Sequence, residues 1–433
     1  MPPAGRTRVV FPWELPTIMR KHIVTGAMGT VYVFLLAGMY LVAFGNHIGM
    51  DYWRWGVLSG VTSFTLVLQL VSALLVRRLA NRKPLWFAAA MAARLLRGAA
   101  IVAAFLLVDV STSASSGAFI LLLILSSCFD AIAAPPWLSW LAALIPRDQH
   151  GAFMGRRSAW IAVANASVLV PIGWAVDRFG QHGAAVAPLL AVFAFGLVVG
   201  VLDLVIHRTI PEPPMVPTQP RPFREALMTA LKDAEFRPWL QFNGIWTFGM
   251  NFGGALATIY FVEDLGIRHN FLGGALVLIL VPVAATALSA RRLGRAVDRY
   301  GVRRMLLYGH WLWAVLPLFW VFATPANALW MLALGAFVGG VGSEGALLAA
   351  NKLILRLRPA EDVPMYAAVS TCIGSLAGGL GSLTGGLVLH ALRDATWSVA
   401  GLTVGGFHVL FLASFVLRST SIVLIRRIPE VAD

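Results

Sequence analysis

The side chains of this sequence with the clearest chemical potential are charged groups inside long apolar stretches. Asp130 lies in one such stretch, roughly 26 Å of helix from Arg147. Arg94 and Arg97, three residues apart and therefore on one helix face, lie in another. An unpaired charge at the centre of a bilayer costs at least about 2.5–3.5 kcal/mol, so such groups pair or face a cavity. We expect an ion pair between Asp130 and Arg97, which either serves structure alone or also titrates during function.

Two consecutive prolines, Pro135 and Pro136, follow Asp130 in the same stretch. Each proline removes a backbone hydrogen bond from a helix and clashes with the preceding turn, so carbonyl groups are left free. Free carbonyls beside an acid favour a solute or ion site, and the alternative is a kinked helix with a structural aspartate.

Glu344 is the second candidate acid, roughly 18 Å of helix from Arg356. No Arg or Lys lies at its depth in the same half of the chain, and Gly342 and Gly345 flank it. A carboxyl without a neutralising partner can bind a proton or a cationic group of a solute, so Glu344 is our candidate for coupling to protons.

Asn243, Trp246 and Asn251 share a further apolar stretch and include helically spaced positions. They are candidates for a cavity wall. The alternative is that the tryptophan marks a membrane interface, where this residue type is enriched.

Signatures of enzymes are absent from the sequence. It contains no Gly-x-Ser-x-Gly, no His-Glu-x-x-His and no Gly-x-x-x-x-Gly-Lys-Ser/Thr phosphate-binding loop. The segment Gly340–Gly345 matches Gly-x-Gly-x-x-Gly, but it lies in an apolar stretch, where small residues serve helix packing. Cys128 and Cys372 are both in apolar stretches, which excludes a disulfide framework. We expect no enzymatic activity, no cofactor and no metal site.

The elements that must position these residues are membrane-spanning helices. The chain is 58% hydrophobic and only 12% charged, against roughly 25% charged residues in soluble domains. Twelve apolar stretches are long enough to cross a bilayer, which requires roughly 20 residues. The predicted spans are Val24–Asn46, Trp55–Val76, Leu85–Val108, Ala118–Ile145, Met154–Val176, Ala185–Ile206, Phe236–Val262, Phe271–Ala290, Met305–Thr324, Leu329–Leu355, Met365–Leu389 and Trp397–Ile425.

The basic residues assign a side to each loop. Of the 34 Lys and Arg residues, Arg94 and Arg97 lie within a span and four lie in loops of one side, which leaves 28 for the other side. The four are Arg54, Arg178, Arg268 and Arg393. The positive-inside rule then puts both termini in the cytoplasm. We expect a multi-pass protein of the bacterial inner or plasma membrane whose basic loops contact anionic lipid, and no nucleic-acid partner.

A proline-rich segment divides the chain. Residues 207–235 carry six prolines and then a short amphipathic helix that begins near Phe223. We therefore predict an N-terminal bundle of six helices over residues 1–206, a cytoplasmic linker over 207–235 and a C-terminal bundle of six helices over 236–433. Aligning Pro146 with Pro359 superposes the halves weakly and puts Asp130 opposite Ser343, next to Glu344.

The strongest local motif lies between the eighth and ninth predicted spans. It reads Gly-x-x-x-Asp-Arg-x-Gly-x-Arg-Arg and consists of Gly294, Asp298, Arg299, Gly301, Arg303 and Arg304. This loop resembles the corresponding loop of the major facilitator superfamily. The layout of twelve spans with a central cytoplasmic linker is similar to that family across nearly the whole chain. The equivalent loop of the first half departs from the motif, because Asn81 stands where an aspartate is expected.

The resemblance implies an all-α polytopic membrane protein with 12 transmembrane helices in two pseudo-symmetric bundles. It also implies that Asp298 and Arg299 form a cytoplasmic gate, with Gly294 allowing close approach of helices; the alternative is that these charges only set the topology. The function implied is secondary active transport of a small solute by alternating access, coupled to protons if Glu344 or Asp130 titrates. The alternative function is a non-transporting factor on the same fold that handles a lipid or pigment or assists assembly.

Overall fold

The computed structural model describes residues 10–79, 81–180, 186–214, 223–357, 363–399 and 402–430, which fold almost entirely into helices. Helices are the expected outcome for apolar segments, because each helix bonds its own backbone N–H and C=O groups without water. The chain divides into two compact units, Met1–Met50 with Thr65–Thr218, and Asp51–Phe64 with Gln219–Asp433. The division of the domains at residues 206 and 235 stays a prediction.

The first unit is built from seven helices within the described residues. These are α1 (Leu15–Leu35), α2 (Gly38–His47), α4 (Leu68–Arg78), α5 (Lys83–Leu107), α6 (Thr112–Leu144), α7 (Arg147–Gly180) and α8 (Ala187–His207). Helix α1 packs against α7 and α8, while α5 packs against α6 and α8. Large aromatic side chains, among them Trp86 and Trp140, fill the core where these helices meet.

Within the described residues the second unit contains the other helices and one hairpin. Its helices are α3 (Tyr52–Thr65), α9 (Phe223–Lys232), α10 (Arg237–Gly254), α11 (Ala257–Val262), α12 (Phe271–Ala275), α13 (Val281–Tyr300), α14 (Val302–Ala314), α15 (Leu316–Val321), α16 (Ala328–Leu357), α17 (Val363–Ala391) and α18 (Gly406–Ile422). One π-helical turn joins α12 to α13. Helix α10 packs against α17 and α18, and α16 packs against α13 and α14.

Eleven helical segments of the described residues are long and apolar enough to cross a membrane. They coincide with eleven of the predicted spans, and the all-α membrane fold is confirmed. The ninth predicted span, Met305–Thr324, is present as two shorter helices, α14 and α15, which are separated at Val315. Pro317 explains the break, since proline cannot donate a hydrogen bond to the carbonyl four residues earlier.

The start predicted for the twelfth span, at Trp397, is wrong. Strands β1 (Thr396–Val399) and β2 (Leu402–Gly405) form an antiparallel hairpin with Thr396 opposite Gly405, and α18 begins only at Gly406. The β-branched and aromatic residues of this segment favour a strand over a helix, a preference that hydrophobicity alone does not detect.

Part of the predicted linker is described and part is not. The amphipathic helix is present as α9, and its Ala230 is fully buried in the core of the second unit. Residues 215–222 and the loop that contains Pro359 lie outside the described residues.

Glycines on one side of α17 permit close packing inside the second unit. A Cβ atom placed on Gly385 would overlap the carbonyl oxygen of Phe252 on α10. Another face of α17 meets α3, where a Cβ on Gly56 would lie 2.8 Å from the Cα of Gly386. Small residues let the backbones of two helices come close together. In a membrane such packing holds helices together, because lipid leaves no hydrophobic driving force between them.

Replacing Gly385 with Ala should therefore destabilise the second unit, because the backbone of α10 would have to move. Overpacking of this kind costs about 1–3 kcal/mol. The melting temperature of the detergent-solubilised protein, measured by thermal denaturation and size-exclusion chromatography, should fall. Gly117→Ala is the matched control, since a Cβ at Gly117 meets no described atom within 4 Å. Equal melting temperatures for the two variants would contradict this packing.

Candidate functional site

The first unit contains a cavity of about 520 Å³ whose wall carries charged side chains. It lies among α1, α5, α6, α7 and α8, and its titratable lining residues are Arg94, Asp130, Arg157, Asp203 and His207. The volume is in the range of pockets that bind small molecules, roughly 300–1,000 Å³. Two of the predicted site residues, Arg94 and Asp130, are thus brought to one cavity.

The shortest ion pair in the wall joins α5 to α8. Arg94 Nη2 donates to Asp203 Oδ2 at 2.6 Å, and both side chains are at most 10% exposed. The second oxygen of Asp203 lies 3.5 Å from Nδ1 of His207, one turn along α8. Trp137 Nε1 donates to His207 Nε2 at 3.3 Å, so the imidazole proton is assigned to Nδ1. Asp203 therefore bridges a guanidinium and an imidazole in a buried network.

Arg97 pairs with Asp130, as expected from the sequence. Arg97 Nη2 donates to Asp130 Oδ2 at 3.0 Å. The aspartate side chain remains 40% exposed toward the cavity, whereas that of Arg97 is 14% exposed. The ring of Tyr32 on α1 lies beneath both guanidinium groups of α5, at 4.8 Å from Arg94 and 5.7 Å from Arg97. The two arginines thus bind different acids, although they share one helix face.

Arg157, on α7, was not selected from the sequence. Its guanidinium lies over the ring of Trp137, with Cζ 5.4 Å from the centroid. It forms no ion pair with the described residues within 4.0 Å, and its Nε is buried without a hydrogen-bond partner among them. Its position near the end of a predicted span is typical of a charge that sets the topology.

Sequence reasoning also overlooked the histidines of the first unit. His207 was assigned to the linker, but it is buried in the last turn of α8. His22 on α1 is fully buried, with its ring 4.7 Å from that of His207 and with no hydrogen-bond partner among the described residues. The spacing of four residues between Asp203 and His207 was the available signal, since it places both on one helix face.

Glu344 lies on α16 of the second unit and is half-buried. It forms no ion pair or hydrogen bond within the part of the chain that the structure describes. The neighbouring Ser343 lines an apolar cavity of about 230 Å³ beside α14 and α15. Gly342 packs on α14, where an added Cβ would lie 2.7 Å from the backbone N of Trp313. Among the described residues Glu344 is therefore a carboxyl without a neutralising group, and its role in coupling stays a prediction.

Asn243, Trp246 and Asn251 lie on α10 and make packing contacts in the second unit. Asn243 Nδ2 donates to the carbonyl of Ser370 on α17 at 2.9 Å. Asn251 Nδ2 donates to the carbonyl of Thr247 at 3.0 Å. Trp246 is buried, at 3% exposure, among aromatic rings of α10 and α14. Their role in lining a cavity stays a prediction.

A buried arginine of the second unit compensates for the broken helix. Arg418 on α18 is 3% exposed. It donates from Nη1 to the carbonyl of Trp313 at 3.4 Å and from Nη2 to that of Met250 at 3.3 Å. The Trp313 carbonyl is the acceptor that Pro317 cannot serve. Arg418 therefore adds a side-chain donor to a carbonyl whose backbone donor is the N–H of Val315, the cap of α14.

The aspartate of the motif between α13 and α14 forms an ion pair with a residue outside the motif. Lys352 Nζ on α16 donates to Asp298 Oδ1 at 2.7 Å. Arg303 Nη2 lies 3.2 Å from Glu430 Oε1. Gly301 has a φ of 85°, a conformation that glycine adopts without strain at the turn between the helices. A Cβ on Gly294 would meet no described atom within 4 Å, so no close approach occurs there among the described residues.

Arg299 and Arg304, the other basic residues of the motif, are exposed. The guanidinium of Arg299 lies 5.5 Å from the ring centroid of the adjacent Tyr300. In this conformation the carboxylate of Asp298 is therefore held by the neighbouring helix α16.

The corresponding loop of the first unit uses an acid from elsewhere in the chain. Glu212 follows the C-cap of α8, Arg208, by four residues. Its carboxylate accepts from the backbone N of Arg82 at 2.6 Å and lies 3.3 Å from Nε of the same arginine. Both side chains are 3% exposed. Arg82 also donates to Ser139 at the end of α6. The carboxylate missing at Asn81 is thus supplied by the start of the predicted linker.

Replacing Asp203 with Asn should strongly destabilise the first unit, because Arg94 would keep a buried charge without its partner. Breaking a buried pair in this way costs about 3–5 kcal/mol. Asp298→Asn is the matched control, since Asp298 is 74% exposed and exposed pairs contribute about 0–1 kcal/mol. Melting temperatures in detergent would be compared. If Asp203→Asn melts with the control, the buried pair does not stabilise the unit.

The sequence and the fold were compared with known proteins. The sequence model of the Major Facilitator Superfamily matches residues 93–295 and 278–430. No curated protein sequence matches the chain. A structure of a variant of nucleoside transporter NupG has a TM-score of 0.69 at 10% identity, with 95% of this chain and 99% of that chain covered. This likeness concerns the fold alone.

Two structures of POT family transporters show a comparable likeness. One, in complex with a thioalcohol-conjugated peptide, has a TM-score of 0.64 at 12% identity, covering 96% of this chain and 95% of that chain. The other, in complex with 5-aminolevulinic acid, has a TM-score of 0.64 at 11% identity, covering 98% and 97%. With the family matches extending over most of the sequence and the helices long enough to span a membrane, this chain is an integral multi-pass membrane protein that belongs to the major facilitator superfamily.

Proposed function

We propose that this protein is a secondary active transporter that moves a small solute across the membrane by alternating access. The observation that carries the proposal is the cavity of the first unit, where two ion pairs and a third guanidinium surround about 520 Å³ of space. A family of membrane transporters uses such polar groups at membrane depth to bind solutes or ions, because a charge kept there without use is costly.

Energy coupling is assigned to carboxyl groups in both units. Glu344 has no neutralising partner among the described residues, and Asp130 shares its charge with Arg97 while facing the cavity. Either group can exchange a proton during a transport cycle, and Glu344 is the primary candidate because no ion pair holds it in the ionised form.

The gate is assigned to the motif of Gly294, Asp298, Arg299, Gly301, Arg303 and Arg304. The ion pair between Asp298 and Lys352 joins α13 to α16 and is exposed on the aspartate side, so a modest shift of either helix can break it. A latch of this strength suits a contact that forms and dissociates in each cycle.

The orientation follows from the charge asymmetry of the loops. Both termini and the linker are placed in the cytoplasm, and the membrane is proposed to be a bacterial inner or plasma membrane. Anionic lipid is the expected partner of the basic cytoplasmic loops.

Transport should be observed after reconstitution of the purified protein into vesicles. A pH gradient would be imposed across the vesicle membrane, and the amount of each candidate solute inside the vesicles would be measured. We expect at least one solute to accumulate, and this accumulation should be lost when a protonophore is added. A protein that binds solutes or lipids without any flux would support the alternative, a non-transporting factor on this fold.

Glu344→Gln should abolish accumulation driven by the pH gradient yet permit exchange at equal solute concentrations, because it keeps the shape of the side chain and removes the titrating group.

If the Glu344→Gln variant concentrates the solute with the wild-type pH dependence, Glu344 is not the coupling group. Asp130→Asn, examined in the same assay, then tests the second candidate.

Asp298→Asn should impair transport without reducing insertion into the membrane, because it removes one partner of an exposed ion pair and leaves the spans unchanged. Uptake rate and the accessibility of introduced cysteines on both sides would be measured in a background without Cys128 and Cys372. Asn81→Ala, at the equivalent loop of the first half, is the control and should have a much smaller effect. Unaltered accessibility on both sides in the Asp298 variant would show that the pair is not a gate.

A further inference from the structure

The charges that line the cavity of the first unit do not cancel. Arg94 is neutralised by Asp203 at 2.6 Å, and Asp130 is neutralised by Arg97 at 3.0 Å. Arg157 is the remaining charged lining residue, and it has no carboxylate within 4.0 Å among the described residues. Counted over the Arg and Asp residues, the lining together with Arg97 therefore carries one net positive charge.

The guanidinium of Arg157 occupies a space that the fold leaves open for it. A Cβ on Gly26 of α1 would lie 2.6 Å from Nη2 and 2.9 Å from Cζ of Arg157, so any larger residue would displace the group. Trp137 on α6 supports it from the ring face. Contacts from two other helices thus hold the cation in place, and because Nε is buried, the two Nη groups are the donors left for a ligand.

A guanidinium in the cavity wall without a carboxylate within 4.0 Å among the described residues can bind an anionic ligand. Arginine remains protonated in proteins, and its planar fork of N–H groups matches a carboxylate through two parallel hydrogen bonds. Because Asp130 and Asp203 already neutralise Arg97 and Arg94, a ligand of higher negative charge would keep a charge that this wall does not compensate. A ligand with one negative charge on a planar group therefore complements the charge of this wall.

Apart from Thr25, Thr30 and His207, the rest of the wall is apolar. The half-buried Trp137 contributes an indole surface, and Ala133 and Ala134 leave room beside it, whereas Trp86 is only 5% exposed. Flat rings stack well on indole faces, and small neighbouring residues permit a ring to lie close to the helix backbones.

We propose that the solute of this cavity is a monocarboxylate with a flat apolar body, and that Arg157 determines this specificity by binding the carboxylate. The proposal names the substrate class of the site described above and rests on the proposed transport function.

The test compares probes of one shape and different charge. The full-length protein would be placed in phosphatidylcholine nanodiscs at pH 7.5, so that no anionic lipid competes, and titrated calorimetrically with benzoate, benzamide, benzylammonium and phenyl phosphate. Benzoate should bind at least tenfold more tightly than each of the other three. In Arg157→Gln the ratio of benzoate to benzamide affinity should fall to within twofold of one.

Two further variants make the test specific to Arg157. Arg156→Gln removes the same charge from the adjacent, exposed position of α7 and should keep the wild-type ratio. Arg157→Lys keeps the charge without the fork and should give an intermediate ratio, which remains measurable if the glutamine variant does not fold. The proposal is overturned if benzamide or benzylammonium binds as tightly as benzoate, if none of the probes binds, or if Arg157→Gln folds and keeps the preference.

Flux measurements separate this proposal from the transport function. Accumulation of a neutral or cationic solute in vesicles, together with no binding of benzoate, would retain transport and reject the monocarboxylate site. Binding of benzoate that depends on Arg157, together with no flux of any solute, would retain the site and reject transport.

Discussion

The need to compensate charge in an apolar environment governs the first unit of this protein. Asp203 bonds Arg94 through one oxygen and His207 through the other, and in doing so connects α5 to α8. Desolvating such groups costs several kcal/mol per ion, which only close partners offset. The positions of Arg97, Asp130 and Tyr32 follow the same requirement, since each guanidinium of α5 has an acid beside it and an aromatic face beneath it. Arg157 departs from this pattern, and that departure makes it the most informative side chain of the cavity.

The second unit meets a related requirement for backbone groups. Pro317 breaks the helix between α14 and α15 and leaves the carbonyl of Trp313 without its usual donor. Arg418, distant in sequence, donates to that carbonyl and to the one of Met250 at the end of α10. A side chain from α18 therefore supplies extra donors at the break, where the N–H of Val315 is the backbone donor to Trp313 and no water is at hand in a membrane.

The corresponding loops of the two halves are held by different ion pairs. In the second half the acid of the motif, Asp298, pairs with Lys352 on a neighbouring helix. In the first half Asn81 replaces that acid, and Glu212 reaches back from the far end of α8 to bond Arg82. The exposure of the two pairs differs greatly, with Asp298 74% exposed and Glu212 3% exposed. An exposed pair is weak and readily exchanged, whereas a buried one is costly to break, so the two loops are suited to different degrees of motion.

The sequence by itself determined the architecture and the depth of the charged residues. Apolar stretches of sufficient length have one solution in a bilayer, so eleven spans, the family and the pair of Arg97 with Asp130 could be predicted from residue types and spacing. Only the tertiary structure decided which partners meet: Asp203 pairs with Arg94, Glu212 pairs with Arg82, and Arg157 lies against Gly26 with no carboxylate of the described residues within 4.0 Å. Such pairings depend on how helices distant in sequence are packed and rotated about their axes, and local periodicity carries no information on either quantity.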